Sequence, residues 1–150
     1  MQHKTVCISG YFYPLTIKDI EYIKFAKNLI GGNCKLIIIV KNDNQAILEK
    51  KHNNFLSCKD RIKLIKTIKY ADEVIESIDS DKNISKTLEM IKPDYFCNDG
   101  NLFNYNIQDE RVCQKLNIQL INSLDISIKS HSTLKKSPWS TNLQENIFYV

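Results

Sequence analysis

One strand–turn–helix junction near the start of the chain has residues that could bind and act on phosphate groups. An apolar run from Val6 enters a turn at Gly10 and then opens a helix near Thr16. Glycine lets the backbone turn tightly and approach a ligand, and the amides at the start of a helix point toward an anion. The junction therefore predicts a phosphate site. The residues expected to line it are Ser9, Gly10, Tyr11 and Phe12.

The elements that must position this junction alternate between strands and helices. Strands are predicted over 5–9, 35–40, 73–78, 94–97 and 119–122, and helices over 17–29, 84–91 and 109–116. Another helix is predicted after Ser57, where a cap pattern precedes Ile62, Ile65 and Ile68. The polar segment 43–56 is expected to be mainly a loop, with one helical turn at 46–48 as the alternative. This alternation predicts an α/β fold, a doubly wound sheet of five mostly parallel strands. Ligands of such sheets bind beyond the carboxyl ends of the strands.

The composition fits one soluble domain. Of 150 residues, 43% are hydrophobic and 25% are charged. No apolar run reaches the ~20 residues that a membrane-spanning helix needs. The start of the chain lacks a signal-peptide pattern, so a cytoplasmic protein is expected. Residues 1–135 are assigned to one domain, and 136–150 to a C-terminal tail that packs on that domain or on a partner subunit.

The five cysteines form neither a disulfide framework nor a metal motif. Their number is odd and no C-x-x-C pair occurs, which argues against both disulfides and a zinc site. Cys7, Cys34 and Cys97 lie in or beside apolar runs and are expected to be reduced core residues. A reactive thiol at Cys58 is not expected, because nothing nearby in the sequence would lower its pKa. No residue is predicted to ligate a metal directly.

Charge is distributed unevenly along the chain. Residues 18–69 hold twelve Lys and Arg against five Asp and Glu, whereas residues 70–110 hold three against ten. This excess is either a set of solvated helix surfaces or a basic wall that attracts a phosphate-bearing small molecule. Nucleic acid is not expected as a partner, because the basic residues are not interleaved with aromatic ones.

Six segments in succession resemble the cytidylyltransferase-like nucleotidyltransferases. The first signature of that family reads roughly G-[GY]-F-D-P-x-[HT]-x-G-H, and residues 10–19 follow its frame. Further matches are V-x-x-D at 40–43, S-x-x-x-R at 57–61, k-y-V-D-E-V at 69–74, K-P-D-x-x-x-k-G-G-D at 92–101 and I-S-[ST]-[ST] within 127–134. The resemblance covers about residues 4–135 and implies a five-stranded Rossmann-like fold.

The same resemblance implies a reaction and a set of site residues. These enzymes join a phosphorylated alcohol or sugar to the α-phosphate of a nucleoside triphosphate and release pyrophosphate. The resemblance implies CTP or ATP with Mg²⁺, a small phosphorylated second substrate and a homodimer. It places Lys50 on substrate phosphate and Arg61 in the pocket. Without such roles, Lys50 is a residue of a polar loop and Arg61 is a charge on a helix surface. For His131, an exposed loop position without function is an equal alternative. The residues implied to hold the nucleotide are Gly100, Asn101, Ser130, His131, Ser132 and Thr133.

The departures from the family pattern fall on its chemistry. Thr16 stands at the first signature His, Lys18 replaces the Gly and Asp19 replaces the second His. Phosphoryl transfer needs donors that neutralise developing charge, and a carboxylate at that point would repel the phosphate. Two hypotheses follow. Either Thr16 and Lys18 stabilise the phosphate in a divergent enzyme of reduced activity, or the chain is a catalytically silent nucleotide-binding or scaffold protein.

Overall fold

A computed structural model of the protein describes residues 3–31, 33–49, 56–98 and 107–122. Ten elements occur in them in the order β1 Lys4–Gly10, α1 Ile17–Lys27, β2 Cys34–Val40, α2 Asp43–Leu48, α3 Cys58–Lys66, β3 Glu73–Glu76, α4 Ser85–Ile91, β4 Tyr95–Asn98, α5 Ile107–Lys115 and β5 Gln119–Asn122. None of the helices in these ranges combines the length and the apolar character that a membrane crossing requires.

The five strands form one parallel sheet in the order β3-β2-β1-β4-β5. Strand β1 pairs with β2 along its whole length, from Lys4 opposite Cys34 to Gly10 opposite Val40. The order reverses beside β1, because β2 lies on one side of it and β4 on the other. The doubly wound α/β fold predicted from the sequence is confirmed, and β1 with its neighbours forms the switch point where ligands bind in such sheets.

Alternate residues of the central strands supply two separate cores. Successive side chains of a strand point to opposite faces, so Val6 and Ile8 pack with α1 and α3, while Cys7 packs with α4 and α5. Strand β2 divides in the same way, since Ile38 belongs to the first core and Ile39 to the second. Both strands are therefore covered on both faces, which accounts for their continuous apolar sequence.

Two aspartates secure the strands at the amino edge of the sheet. Asp94, just before β4, accepts hydrogen bonds from the backbone amide and the hydroxyl of Thr5 at 2.8 and 3.2 Å. Asp72, just before β3, accepts one from the Leu36 amide at 2.7 Å and pairs with Lys27. Burial acts in the opposite direction, but the Leu36 amide and the Lys27 ammonium together lower the pKa of Asp72. Both carboxylates serve strand alignment.

The segment after β2 differs from its prediction, because 43–48 is the helix α2 rather than mainly a loop. Asn42 caps it by accepting from the Gln45 amide at 2.9 Å, and the Gln45 side chain accepts from the Asn42 amide at 3.0 Å. This reciprocal capping box stabilises a helix whose sequence has no long apolar stripe.

Four other boundaries also differ by a few residues. Helix α3 ends at Lys66, so Ile68 lies beyond it. Helix α1 ends at Lys27, two residues early, because the Asn28 side chain bonds the Lys24 carbonyl at 2.9 Å. Strand β3 ends at Glu76, where the backbone turns away so that the Ile78 amide bonds the Thr87 hydroxyl at 3.0 Å. Helix α5 begins at 107 rather than 109.

Candidate functional site

The predicted phosphate junction lies at the carboxyl edge of the sheet. Strands β1 and β2 end side by side there, and the Lys41 amide donates to the Gly10 carbonyl at 2.9 Å. Gly10 and Asn42 therefore meet at one edge, as expected for residues at the carboxyl ends of neighbouring parallel strands. Seven of the residues assigned to the site from the family resemblance lie outside the described residues. These are Lys50, Gly100, Asn101, Ser130, His131, Ser132 and Thr133.

The ring of Phe12 lies close to Gly10 and leaves little room for a side chain there. Phe12 has a positive φ of 56° and is only 7% exposed, since its side chain belongs to the core under α1 and α3. A methyl group on Gly10 would lie 3.2 Å from two ring carbons of Phe12. The side chain of Phe12 thus packs into the core beneath the turn. The Tyr13–Pro14 peptide that follows is cis.

Thr16 and Asp19 are joined to each other at the start of α1. The Thr16 amide donates to Asp19 Oδ2 at 2.9 Å, and the Thr16 hydroxyl donates to the same oxygen at 3.1 Å. The Asp19 amide donates in return to Thr16 Oγ1 at 3.4 Å, which completes a capping box. The hydroxyl proton of Thr16 is therefore directed at Asp19. Lys18, between them, is exposed.

Arg61 is fully buried and is bound by backbone carbonyls. Its Nη1 donates to the carbonyl oxygens of Tyr11 and Lys41 at 3.2 and 2.8 Å. Its Nε donates to Leu56 at 2.8 Å, and Nη2 forms an ion pair with Asp43 at 3.1 Å. The guanidinium thus fastens the turn after β1 to the segment after β2. In this structure the buried Arg61 side chain stabilises the carboxyl edge of the sheet through these contacts.

Tyr11 connects the same turn to α2. Its hydroxyl donates to the Gln45 carbonyl at 3.0 Å, and its ring lies 5.4 Å from Lys41 Nζ and 5.8 Å from Arg61 Cζ. Burial, with the nearby Glu49 carboxylate, raises the pKa of the Tyr11 phenol well above its usual range. Cations close to an aromatic ring are attracted by its quadrupole. Tyr11 therefore stays protonated and holds the turn against two basic side chains.

A polar cradle that the sequence did not reveal surrounds α2. Asn42 Nδ2 donates to the Ser77 and Asp79 carbonyls, and Gln45 Nε2 donates to two more, at 2.7–3.0 Å. Lys41 Nζ donates to the Lys82 carbonyl at 3.0 Å. The loop between β3 and α4 is therefore wrapped around residues 41–45. The N-x-x-Q spacing of Asn42 and Gln45 is the one sequence signal that could have indicated it.

Two buried carboxylates converge on the start of α4. Asp79 accepts from the Lys86 and Thr87 amides at 2.8 and 3.0 Å. Asp109, from α5, accepts from the Ile84 amide at 2.8 Å and from the Ser85 hydroxyl at 3.3 Å. Burial raises the pKa of Asp109 to about 6, with Asp79 adding to the effect, while those hydrogen bonds and Lys41 oppose it. This junction connects α4 to α5 next to the carboxyl edge.

The part of the chain that the structure describes contains no cluster of metal ligands. Within the described ranges, no group of three His, Cys, Asp or Glu side chains could hold a metal ion. All five thiols are free and buried, as expected for Cys7, Cys34 and Cys97. At Cys58, burial raises the pKa to about 11, although Arg61 opposes the effect.

Comparison with known proteins shows which family and which proteins this chain is similar to. A family model described as cytidylyltransferase-like matches residues 7–144. FAD synthase of Methanothermus fervidus is 38% identical over 73 residues, which are 49% of this chain and 48% of that protein. FAD synthase of Thermococcus kodakarensis is 32% identical over 99 residues, which are 62% of this chain and 64% of that protein. The matched part of the chain thus spans between about half and two thirds of the length of these relatives.

Two solved structures share the fold. The lipopolysaccharide core biosynthesis protein from Thermoplasma volcanium superposes with a TM-score of 0.67 at 22% identity, covering 81% of this chain and 96% of that one. The universal stress protein from Archaeoglobus fulgidus gives a TM-score of 0.52 at 11% identity, with 80% and 93% covered. At these identities the likeness concerns the fold alone.

Proposed function

Since the chain belongs to the cytidylyltransferase-like family, we propose that it binds a nucleotide at the carboxyl edge of the sheet and is a nucleotidyltransferase of low turnover. The observation that carries this proposal is the junction after β1, which brings the turn 10–16 and the start of α1 to the switch point beside β2. That is where doubly wound sheets bind ligands. The archaeal relatives favour ATP as the nucleotide and a flavin phosphate as the acceptor, because FAD consists of FMN joined to AMP.

The reaction would be a displacement at the α-phosphorus of the nucleotide. A phosphate oxygen of the acceptor forms a new bond to that phosphorus, the bond to the β-phosphate oxygen breaks, and pyrophosphate leaves with its electron pair. The first amides of a helix have no partners within the helix, and no described residue accepts a hydrogen bond from the Ile17 or Lys18 amide. These two amides and the Lys18 ammonium are the donors that would meet a phosphate, with Mg²⁺ carried on the nucleotide.

Low turnover follows from the Thr16–Asp19 capping box. Asp19 places a carboxylate one residue from Lys18, and the Thr16 hydroxyl donates to that carboxylate. A like charge within ~4 Å at an effective dielectric near 20 costs about 4 kcal/mol. At 1.36 kcal/mol per tenfold, a penalty of that order slows turnover about 10³-fold. A catalytically silent nucleotide-binding protein is the second candidate, and this same capping box favours it.

A binding screen followed by an assay for pyrophosphate tests the proposal. ATP, CTP, FMN and FAD are each added with Mg²⁺, and thermal unfolding is recorded. A ligand at 100 times its Kd stabilises the fold by about 2.7 kcal/mol. We expect ATP or FAD to stabilise the protein and pyrophosphate release to be slow. The absence of stabilisation by every nucleotide and product would refute nucleotide binding at this edge.

A double substitution separates the two candidates. Lys18→Gly with Asp19→His exchanges the Lys18 ammonium for an imidazole donor and removes the repelling carboxylate, so an enzyme of low turnover should gain pyrophosphate release by at least tenfold. Glu89→His on α4, which is exposed, is the matched control for replacing a carboxylate by His and should leave the rate unchanged. If nucleotide binds but neither the wild type nor the double variant releases pyrophosphate, the silent protein is the correct candidate.

A further inference from the structure

One buried residue of α2 takes part in the contacts on both sides of that helix. Gln45 is fully buried. Its backbone carbonyl accepts a hydrogen bond from the Tyr11 phenol at 3.0 Å. Its side-chain nitrogen donates to the carbonyls of Asp81 and Asn83 at 2.7 and 2.8 Å. Gln45 therefore joins the turn after β1 to the loop between β3 and α4.

Both polar groups of the Gln45 side chain have partners, and the two groups serve different purposes. The oxygen accepts from the Asn42 amide at 3.0 Å, and the nitrogen donates to the two loop carbonyls. An amide side chain offers two donor hydrogens as well as an acceptor oxygen. The capping box of α2 needs only the oxygen, since a glutamate is equally suitable at that position. The nitrogen is therefore available to hold the loop.

The loop that Gln45 holds is itself attached to two further helices. Asp79, within the loop, accepts from the Thr87 amide of α4 at 3.0 Å. The Ile84 amide, at the end of the loop, donates to Asp109 of α5 at 2.8 Å. Both carboxylates are buried, and hydrogen bonds to charged groups are among the stronger ones in proteins. The loop thus provides a fixed support for α2.

Tyr11 links the position of α2 to the backbone of the turn. Its phenol contacts the Gln45 carbonyl and also interacts with the Glu49 carboxylate at the end of α2. Its own carbonyl accepts from Arg61 at 3.2 Å. Tyr11 is thus held at both ends, directly after Gly10, at the switch point where sheets of this kind bind ligands. A shift of α2 would therefore displace the turn at the candidate site.

We propose that Gln45 is a positioning residue of the candidate site: its buried side chain fixes the turn after β1 relative to the loop 77–84 and thereby sets the affinity for nucleotide. Because Gln45 is buried, it acts through Tyr11 and not by contact with the nucleotide. The effect on affinity rests on the proposed function, whereas the effect on the turn does not.

Two substitutions at this one position separate positioning from helix capping. Gln45→Glu keeps an oxygen for the Asn42 amide but removes the donors to the loop, and Gln45→Met removes both. Each should raise the Kd of ATP with Mg²⁺ by about tenfold or more in a calorimetric titration at pH 8. Thr5→Val is the matched control, because it removes two hydrogen bonds with Asp94 at the opposite edge of the sheet. It should leave the Kd within about twofold of the wild type, and circular dichroism checks the fold of each variant.

A second measurement needs no nucleotide. The equilibrium constant of unfolding in urea is determined for Tyr11→Phe, for Gln45→Met and for the variant with both changes. If the Gln45 side chain positions α2 for Tyr11, the second substitution removes a contact that the first has already weakened. The double variant should then have an unfolding constant about threefold or more below the product of the two single effects.

Three results would overturn the proposal. One is a Gln45→Glu variant that binds ATP as tightly as the wild type, which would mean that the residue only caps α2. Another is an equal loss of affinity in Thr5→Val, which would mean that affinity simply follows stability. The third is that the unfolding constants of Tyr11→Phe and Gln45→Met multiply independently, which would mean that the Gln45 side chain does not position the turn.

The outcome for the wild type keeps the two proposals apart. A wild type that binds no nucleotide refutes the proposed function, and the coupling between Tyr11 and Gln45 then decides on its own whether Gln45 positions the turn. Weaker ATP binding in both Gln45 variants, with Thr5→Val unchanged and the expected coupling present, supports the positioning role.

Discussion

Replacing Asp109 by Asn should stabilise the protein at neutral pH, although Asp109 accepts two hydrogen bonds. Burial raises the pKa of Asp109 to about 6 from the usual 3.8. A difference of about two pKa units, at 1.36 kcal/mol each, amounts to about 3 kcal/mol. The Asn side chain keeps an oxygen for the Ile84 amide and carries no charge beside Asp79. Because its NH₂ group also needs a partner, we expect a net gain of about 1–2 kcal/mol.

The stabilising direction of this substitution follows from how the free energy of unfolding depends on pH. The folded state binds the Asp109 proton more tightly than the unfolded state, so ionisation of Asp109 destabilises the fold. The stability that the protonated carboxyl provides is complete below about pH 4 and declines as the pH rises through about 6. The gain from Asp109→Asn should therefore be full at pH 7.5 and absent near pH 4.

Urea unfolding at pH 7.5 and at pH 4 measures both values. Asp79→Asn is the matched control, because its oxygens accept from two amides in the first turn of α4 and a negative charge there is favourable. It should lose about 1 kcal/mol at pH 7.5. If Asp109→Asn is destabilising at pH 7.5, or if its gain is the same at both pH values, the carboxylate is not strained by burial and the reasoning is wrong.

Three further predictions concern the support of the carboxyl edge. Arg61→Met should lower the free energy of unfolding by at least about 3 kcal/mol, because it leaves buried carbonyls unpaired, whereas the exposed Lys63→Met should change it by less than about 0.5 kcal/mol in the same urea titration. Gly10→Ala should cost about 1–3 kcal/mol through its clash with Phe12; a double-mutant cycle with Phe12→Leu should show a coupling energy of opposite sign, and additive effects would contradict the contact. Cys58 should react with a thiol reagent at pH 8 at least ~100-fold more slowly in the native than in the urea-unfolded protein, because its pKa of about 11 against an ordinary 9.0 leaves little thiolate; equal rates would show that the thiol is accessible and ionised.

The strands were predictable because their signal is local. The run 34–40 is apolar at nearly every position, as a strand covered on both faces must be. Helix α2 was anticipated only as an alternative turn at 46–48, because its local capping box is supplemented by hydrogen bonds to residues that are distant in the sequence. Gln45 binds the carbonyls of Asp81 and Asn83, nearly forty positions away, and six residues are too few for a helical stripe to appear.

The candidate site, too, was predictable from the local sequence only in part. The position of Gly10 at the end of β1 followed from the strand and turn pattern, but no local rule indicates that the Phe12 ring leaves little room for a side chain there. Arg61 was assigned to the pocket from its motif, whereas its partners are carbonyls of three separate segments. The Thr16–Asp19 box did have a local signal, since a hydroxyl residue three positions before a carboxylate is a common helix start. The resemblance to the family led instead to the interpretation of Asp19 as a negative charge in place of the second signature His.

Asp72 and Asp94 lie at the edge of the sheet opposite the candidate site, yet each belongs to a segment by which the chain resembles its family. Within those segments, these two aspartates align the strands, and they say little about which molecule is bound. The amino edge of the sheet thus serves the alignment of the strands, whereas the carboxyl edge carries the candidate site. Residues such as Lys18 can be exchanged without loosening the strand alignment. A designer who wishes to give this scaffold a new ligand can therefore vary the turn after β1 and leave the aspartates in place.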